Sequence, residues 1–329
     1  MRRREFITLL GGVAAWPLTA RAQQGERMRR IGVLMGYAES DAGAKGFLDG
    51  FVQRLAELGW VEGRNLRIDV RWGSNVTQMR EFAKELVELQ PEVIVANSTP
   101  VTAALQRETR SIPIIFVIVS DPVGSRFVAS LARPSGNITG FSTAEGSLAS
   151  KWLELLTEIM PGLKQAAMMF NPDTAPYVSS YYLPSFEAAA QSLKVVPITA
   201  RVYSDAEIET VITSLGREPG GGLLVMPDNF MDIHRKQIIS LAKQNNVPSI
   251  YQFPVSVRDG GLLSYGADFA DIFRSAALYV DRVLRGAMPS ELPVQMPTKY
   301  LLAVNTKTAG SLGLTVPPLL LARADEVIE

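Results

Sequence analysis

The groups in this chain that are able to hold a small molecule recur in one kind of place. They are short polar runs, each following an apolar one: Gly36-Tyr37-Ala38-Glu39-Ser40-Asp41 after Ile31–Met35, Asn97-Ser98-Thr99-Pro100 after Val93–Ala96, and Ser120-Asp121-Pro122 after Ile114–Val119. Further along come Asn171-Pro172-Asp173-Thr174 with Tyr177 after Ala166–Phe170, Pro227-Asp228-Asn229 after Leu223–Met226, and Gln252-Phe253 after Ser249–Tyr251. Hydroxyls, amides and carboxylates of this kind bind ligand charges by hydrogen bonding. Where a helix follows, the free N–H groups of its first turn donate to an anion. The same residue types also cap helices and make turns. Any one run therefore reads as structure at least as readily as site, and the six together make the stronger case for a site.

Enzyme chemistry finds little to work with. No Gly-x-Gly-x-x-Gly follows a strand, and neither a Walker loop nor a Gly-x-Ser-x-Gly elbow is present. The single histidine, His234, lies beside Arg235 and Lys236 in an expected helix and reads as a solvated helix residue. With one histidine and no cysteine, a transition-metal site lacks its usual ligands. We expect no catalytic residue, no metal and no cofactor. Asp121 and Asp228 suit acid–base chemistry and the binding of an ammonium group equally well.

The elements that must position these runs alternate along the chain. Expected strands at 31–35, 66–70, 93–96, 114–119 and 138–141 are separated by expected helices at 41–58, 76–90, 100–109 and 123–131. This βα order implies a parallel sheet covered on both faces. The pattern restarts with helix 146–159, strand 166–170, helix 176–193, strand 195–200, helix 205–215, strand 223–226, helix 231–245, strands 249–251 and 262–265, and a long amphipathic helix at 268–285. Two doubly wound α/β lobes would leave a cleft between them. Ligands of open α/β sheets bind beyond the carboxyl ends of the strands, where the polar runs stand.

Length and composition agree with that organisation. At 329 residues the chain exceeds one ordinary domain, and 47% hydrophobic with 20% charged residues is a globular composition. Thirty-three basic residues balance 33 acidic ones, with no basic block beyond the first thirty positions, so a nucleic-acid partner is not expected. The N-terminus reads as an export signal. Arg2-Arg3-Arg4 precedes a mostly apolar run from Phe6 to Leu18, and Ala20-Arg21-Ala22 provides a small-x-small cleavage site. The run is too short to span a membrane, and Arg3-Arg4-Glu5-Phe6-Ile7 resembles a twin-arginine signal. The expectation is cleavage near Ala22 and a periplasmic mature protein that does not itself span the membrane.

Several further runs carry a family resemblance: Ser120-Asp-Pro-Val123, Pro134-Ser-Gly-Asn-Ile-Thr-Gly140, Gly260-Gly-Leu-Leu-Ser-Tyr-Gly266, Leu292-Pro-Val-Gln-Met-Pro-Thr-Lys299, and Asn305-Thr-Lys-Thr-Ala309 with Leu312-Gly-Leu314. Through them nearly the whole mature chain resembles the bacterial ABC-transporter substrate-binding family that includes tryptophan- and tyrosine-binding members. The resemblance implies a type I periplasmic-binding-protein fold with a three-crossover hinge. It assigns residues 30–143 plus 268–287 to an N-terminal lobe and 144–264 plus 300–329 to a C-terminal lobe. It also implies a monomer without catalytic residues that closes on an amino-acid-like or carboxylate ligand and delivers it to an inner-membrane permease. Carried over by position, Ser98 and Thr99 would hold a carboxylate and Asp121 or Asp228 an ammonium. Tyr37, Tyr177, Tyr251 and Tyr265 would wall a side chain. Asn97, Ser120, Asn171 and Gln252 complete the expected ligand set. Two other readings stay open at this point: a sensing module that presents its ligand to a membrane receptor, and an enzyme on the same scaffold.

Overall fold

A computed structural model describes residues 28–143 and 145–329. The proposed export signal lies outside the described residues. Among those residues no helix is long and apolar enough to cross a membrane.

The first sheet holds five parallel strands, β1 (Arg29–Met35), β2 (Leu66–Trp72), β3 (Val93–Asn97), β4 (Ile114–Val119) and β5 (Ile138–Ser142), in the order β2-β1-β3-β4-β5. Side chains alternate across a strand, so each strand feeds two cores. Ile31, Val33, Val93, Val95, Ile115 and Val117 pack beneath helices Ala42–Glu57 and Phe269–Leu284. Leu34, Ile94, Ala96, Ile114 and Phe116 pack on the other face, beneath helices Val76–Glu88 and Thr99–Glu108. Helix Phe269–Leu284 comes late in the chain yet completes this first core. Its Phe273 stacks on Phe47 with ring centroids 5.6 Å apart, and its Asp281 accepts the Trp60 indole N–H at 2.8 Å.

The second sheet contains β6 (Gln165–Phe170), β7 (Val196–Arg201), β8 (Gly221–Val225), β9 (Ser249–Tyr251), β10 (Leu263–Ala267), β11 (Tyr300–Asn305) and β12 (Glu326–Ile328), in the order β12-β11-β10-β9-β8-β6-β7. It alternates in the same way: Ala166, Met168 and Phe170 face one core, Ala167 and Met169 the other. One departure from the expected parallel sheet is β11, which runs antiparallel to β10. It enters from the hinge rather than from a covering helix, so no right-handed crossover fixes its direction.

The chain passes between the lobes three times among the described residues: after β5, between β10 and helix Phe269–Leu284, and between Gln295 and β11. The third strand of the hinge is stitched to the first sheet, with Ser142 N–H donating to Gln295 O at 2.9 Å and Gln295 N–H to Gly140 O at 3.0 Å. It is stitched to the second crossing by Lys299, whose Nζ lies 2.7 Å from Asp268 Oδ2.

Three expected helices differ. Residues 123–131 form turns: Asp121 Oδ1 takes the Gly124 N–H at 2.7 Å, and Arg126 adopts φ +59°, which stops helical propagation. The 176–193 helix breaks at Tyr182, just before Pro184, into Val178–Tyr181 and Leu183–Leu193. The 231–245 helix starts earlier and breaks at His234, into Asn229–Ile233 and Arg235–Gln244.

Candidate ligand-binding cleft

The carboxyl ends of both sheets face one another, and the polar runs stand between them. In the first lobe β3 ends at Asn97, whose Oδ1 accepts the Gly36 N–H at 3.1 Å while its Nδ2 has no partner. Ser98 follows at φ +88°, a left-handed conformation that costs a non-glycine residue free energy. It is the N-cap of helix Thr99–Glu108 but makes no side-chain capping bond, and its Oγ is also without a partner. Asn97 is 0% and Ser98 6% exposed. A buried donor left unpaired costs about 1–3 kcal/mol. Two of them beside an uncapped helix start are of the kind that can hold an anion.

A second backbone irregularity lies at the next strand end. Ile118 sits at φ +61° in a bulge where the pairing of β4 with β5 shifts between Val117 and Val119. Bulges re-aim the residues after them, and here that residue is Ser120. Its hydroxyl lies 3.2 Å from that of Thr143. Tyr177 and Tyr182 of the second lobe lie near Ser120.

On the second lobe Asp228 is buried and fully occupied. Its Oδ2 accepts the Asn171 N–H at 2.7 Å. Its Oδ1 accepts the Thr174 hydroxyl and the Phe230 N–H, each at 2.7 Å, and the Met231 N–H at 3.2 Å. Burial still outweighs these bonds and pushes its pKa up to about 6. Asn171 uses its own Oδ1 to accept the Asp173 N–H at 2.8 Å. Gln252, at the end of β9, is 2% exposed with both amide atoms unpartnered. Tyr177 donates to Pro227 O at 2.7 Å and packs with Tyr182 and Trp152 in an aromatic cluster. The Tyr182 hydroxyl is buried without a partner.

The expected residues thus divide. Tyr37, Asn97, Ser98, Thr99, Ser120, Asn171, Tyr177, Asp228 and Gln252 are all buried at strand ends or helix starts of the two facing rims. Asp121 lies at the edge, its carboxylate taken up by the Gly124 turn. Tyr265 is stacked on Tyr300 at 5.7 Å, and its carbonyl accepts the Trp152 indole N–H at 2.6 Å. Tyr251 sits in the core of the second lobe, with its hydroxyl 3.0 Å from Ser249 Oγ. The alternation along β9 that aims Ile250 into the opposite core leaves Tyr251 on that face. Asn229, Thr143 and Tyr182 also belong to the rims and were missed. Asn229 adjoins Asp228 in the polar run after β8, whereas Tyr182 falls inside a helix that reads as continuous in the sequence.

The cleft is shut. Asn229 Nδ2 donates to Gly36 O across the lobes, and Arg235 of the second lobe reaches Asp41 of the first at 3.4 Å. A cavity of about 160 Å³ remains at the mouth, lined by Arg80, Thr99 and Arg107 on one side and Asp173 and Thr174 on the other. A larger groove of about 580 Å³ lies on the flank of the first lobe, beside Arg110 and Arg126, and contains none of the unpartnered buried groups. Among the described residues no group of acidic or histidine side chains is arranged to hold a metal ion.

Two facing α/β lobes that enclose a buried polar cleft form a two-lobed ligand-binding architecture. Residues 35–328 match the family model described as ABC transporter substrate binding protein, and the chain belongs to that family. It is 27% identical over 267 residues to the tyrosine-binding protein of Clostridioides difficile (strain R20291), covering 80% of this chain and 76% of that one. A structure of an ABC domain from Streptococcus pneumonia in complex with L-Trp is similar at TM-score 0.84 and 25% identity, covering 92% of this chain and all of that one. A ligand-free, open substrate binding protein with adhesive properties from Clostridium difficile is similar at TM-score 0.68 and 23% identity, over 92% of this chain and 99% of that one.

Proposed function

We propose that this chain is the extracytoplasmic capture component of an ABC importer, closing on a small carboxylate of amino-acid size and handing it to an inner-membrane permease. The observation that carries the reading is the pair of unpartnered, buried donors, Asn97 Nδ2 and Ser98 Oγ, at an uncapped helix start inside a shut cleft. Buried groups of this kind are paired by a ligand or by ordered water, and an anion suits two donors at a helix start. In this reading Thr99 adds its backbone N–H to the anion site, and Gln252 and Ser120 take further polar groups of the ligand. The aromatic cluster around Tyr177 and Tyr182 supports a planar or apolar ligand body. The names of the relatives, tyrosine-binding and L-Trp-bound, fit that size and shape.

The lobes are assigned as 30–143 plus 268–287 and 144–264 plus 300–329, with residues 1–22 as an export signal and the periplasm as destination. The protein acts as a monomer, in keeping with a site built from one chain. A thermal-shift screen of amino acids and small carboxylates tests the reading. A ligand at ~100 times its dissociation constant stabilises by about 2.7 kcal/mol. A chain whose melting no member of such a panel raises would not be a carboxylate-binding protein.

A further inference from the structure

Arg235 opens helix Arg235–Gln244 of the second lobe and does not belong to the rim that would hold a ligand. Its guanidinium is nevertheless only 12% exposed, and it lies between carboxylates of both lobes. Nε donates to Asp259 Oδ2 at 2.8 Å within its own lobe, and Nη2 lies 3.4 Å from Asp41 Oδ2 of the other. Asp41 divides its oxygens, because Oδ1 accepts the Ala44 N–H and caps helix Ala42–Glu57. Near this pair, Tyr37 of the first lobe and Asp232 of the second lie close enough to influence each other's ionisation.

We propose that Arg235 is a cross-cleft clasp: anchored to Asp259, it takes Asp41 as the lobes meet and so sets how much of the protein is shut, without touching the ligand. The geometry makes the clasp reversible. Opening removes only the Asp41 contact, and the guanidinium keeps Asp259, so no buried charge is orphaned. The shut form would then be populated before a ligand arrives, and the clasp would add the same increment of closure for any ligand. The proposal rests on the reading of this chain as a protein that opens and closes.

The test uses the absence of cysteine in the chain. Nitroxide labels at K84C in the first lobe and Q191C in the second, both exposed positions, report lobe separation by pulsed electron resonance. The ligand-free parent should show a shut and an open distance. D41N keeps the helix cap, because asparagine caps as well as aspartate, yet should lower the shut-to-open ratio about fivefold, the scale of one partly exposed ion pair. R235Q also loses the Asp259 bond within its own lobe, which the melting temperature reads, but it should lower the shut-to-open ratio by the same amount, and the double variant should go no further than the single ones, since all three remove the same contact between the lobes. An unchanged ratio in D41N with an unaltered melting temperature, or additive losses in the double variant, would overturn the clasp. A single distance in the parent, both alone and with saturating L-tryptophan, would overturn lobe motion itself and the clasp with it, which separates the two failures.

Discussion

Asp228 Oδ2 accepts the backbone N–H of Asn171 at 2.7 Å, joining the loop after β8 to the loop after β6. With three more donors on Oδ1, the carboxylate is a structural junction of the second lobe before it is anything else. Asparagine offers one acceptor oxygen and an amide that would point N–H at N–H toward Asn171. Asp228→Asn should therefore destabilise the protein by about 1–3 kcal/mol, measured by urea unfolding at pH 7. If Asp228 also meets a ligand ammonium, the variant should in addition weaken a zwitterion by ~100-fold while leaving the binding of its des-amino analogue within a few-fold.

The same residue sets a pH dependence. Burial raises the Asp228 pKa from the ordinary carboxylate range to about 6, so between about pH 4 and 6 the native state binds more protons than the unfolded one. Its contribution is most favourable below the unfolded pKa and is lost as pH rises through about 6. Asp232, also raised by burial, adds the same sign. Chemical denaturation of the parent and of Asp228→Asn at pH 4.5 and pH 7 should show the parent losing on the order of 1–3 kcal/mol more than the variant over that interval.

Ser98 opposes stability and binding. Its φ of +88° suits glycine, so Ser98→Gly should relieve strain and raise the unliganded stability by about 1 kcal/mol while weakening a carboxylate ligand by tenfold or more. Asn97→Asp keeps the acceptor for the Gly36 N–H but puts a negative charge where an anion should sit, and should abolish binding. Calorimetric titration of both variants with the best ligand of the screen checks this. Parental affinity in both would place the anion elsewhere.

Gly36 permits closure. A Cβ there would lie 2.6 Å from Asn229 Nδ2 of the other lobe. Gly36→Ala should leave each lobe folded but hold them apart, visible as a larger radius of gyration by solution scattering and an unchanged far-ultraviolet dichroism spectrum.

Replacing Arg3 and Arg4 with lysine should retain the precursor in the cytoplasm if export uses the twin-arginine route. Mature protein appearing normally outside the membrane, seen by cell fractionation, would assign export to the general secretory route instead.

The sequence by itself determined the layered architecture. Strands such as Ile114–Val119 are apolar on both faces because helices cover both. The polar runs that follow such strands fall at one end of the sheet because every strand of the first lobe points the same way. What the runs do there was a tertiary decision. Whether Asp228 is a free charge depends on Asn171, 57 residues away, and whether Gly36 meets Asn229 depends on a partner 193 residues away. Tyr251 ends β9 and Gln252 is the residue after it, yet one is a core ring and the other a buried amide without a partner. Local propensity specifies which residues are able to cap, turn or bind. Hydrogen-bond partners brought together by folding consume some of those groups and leave others unpaired, and the unpaired ones mark the candidate site.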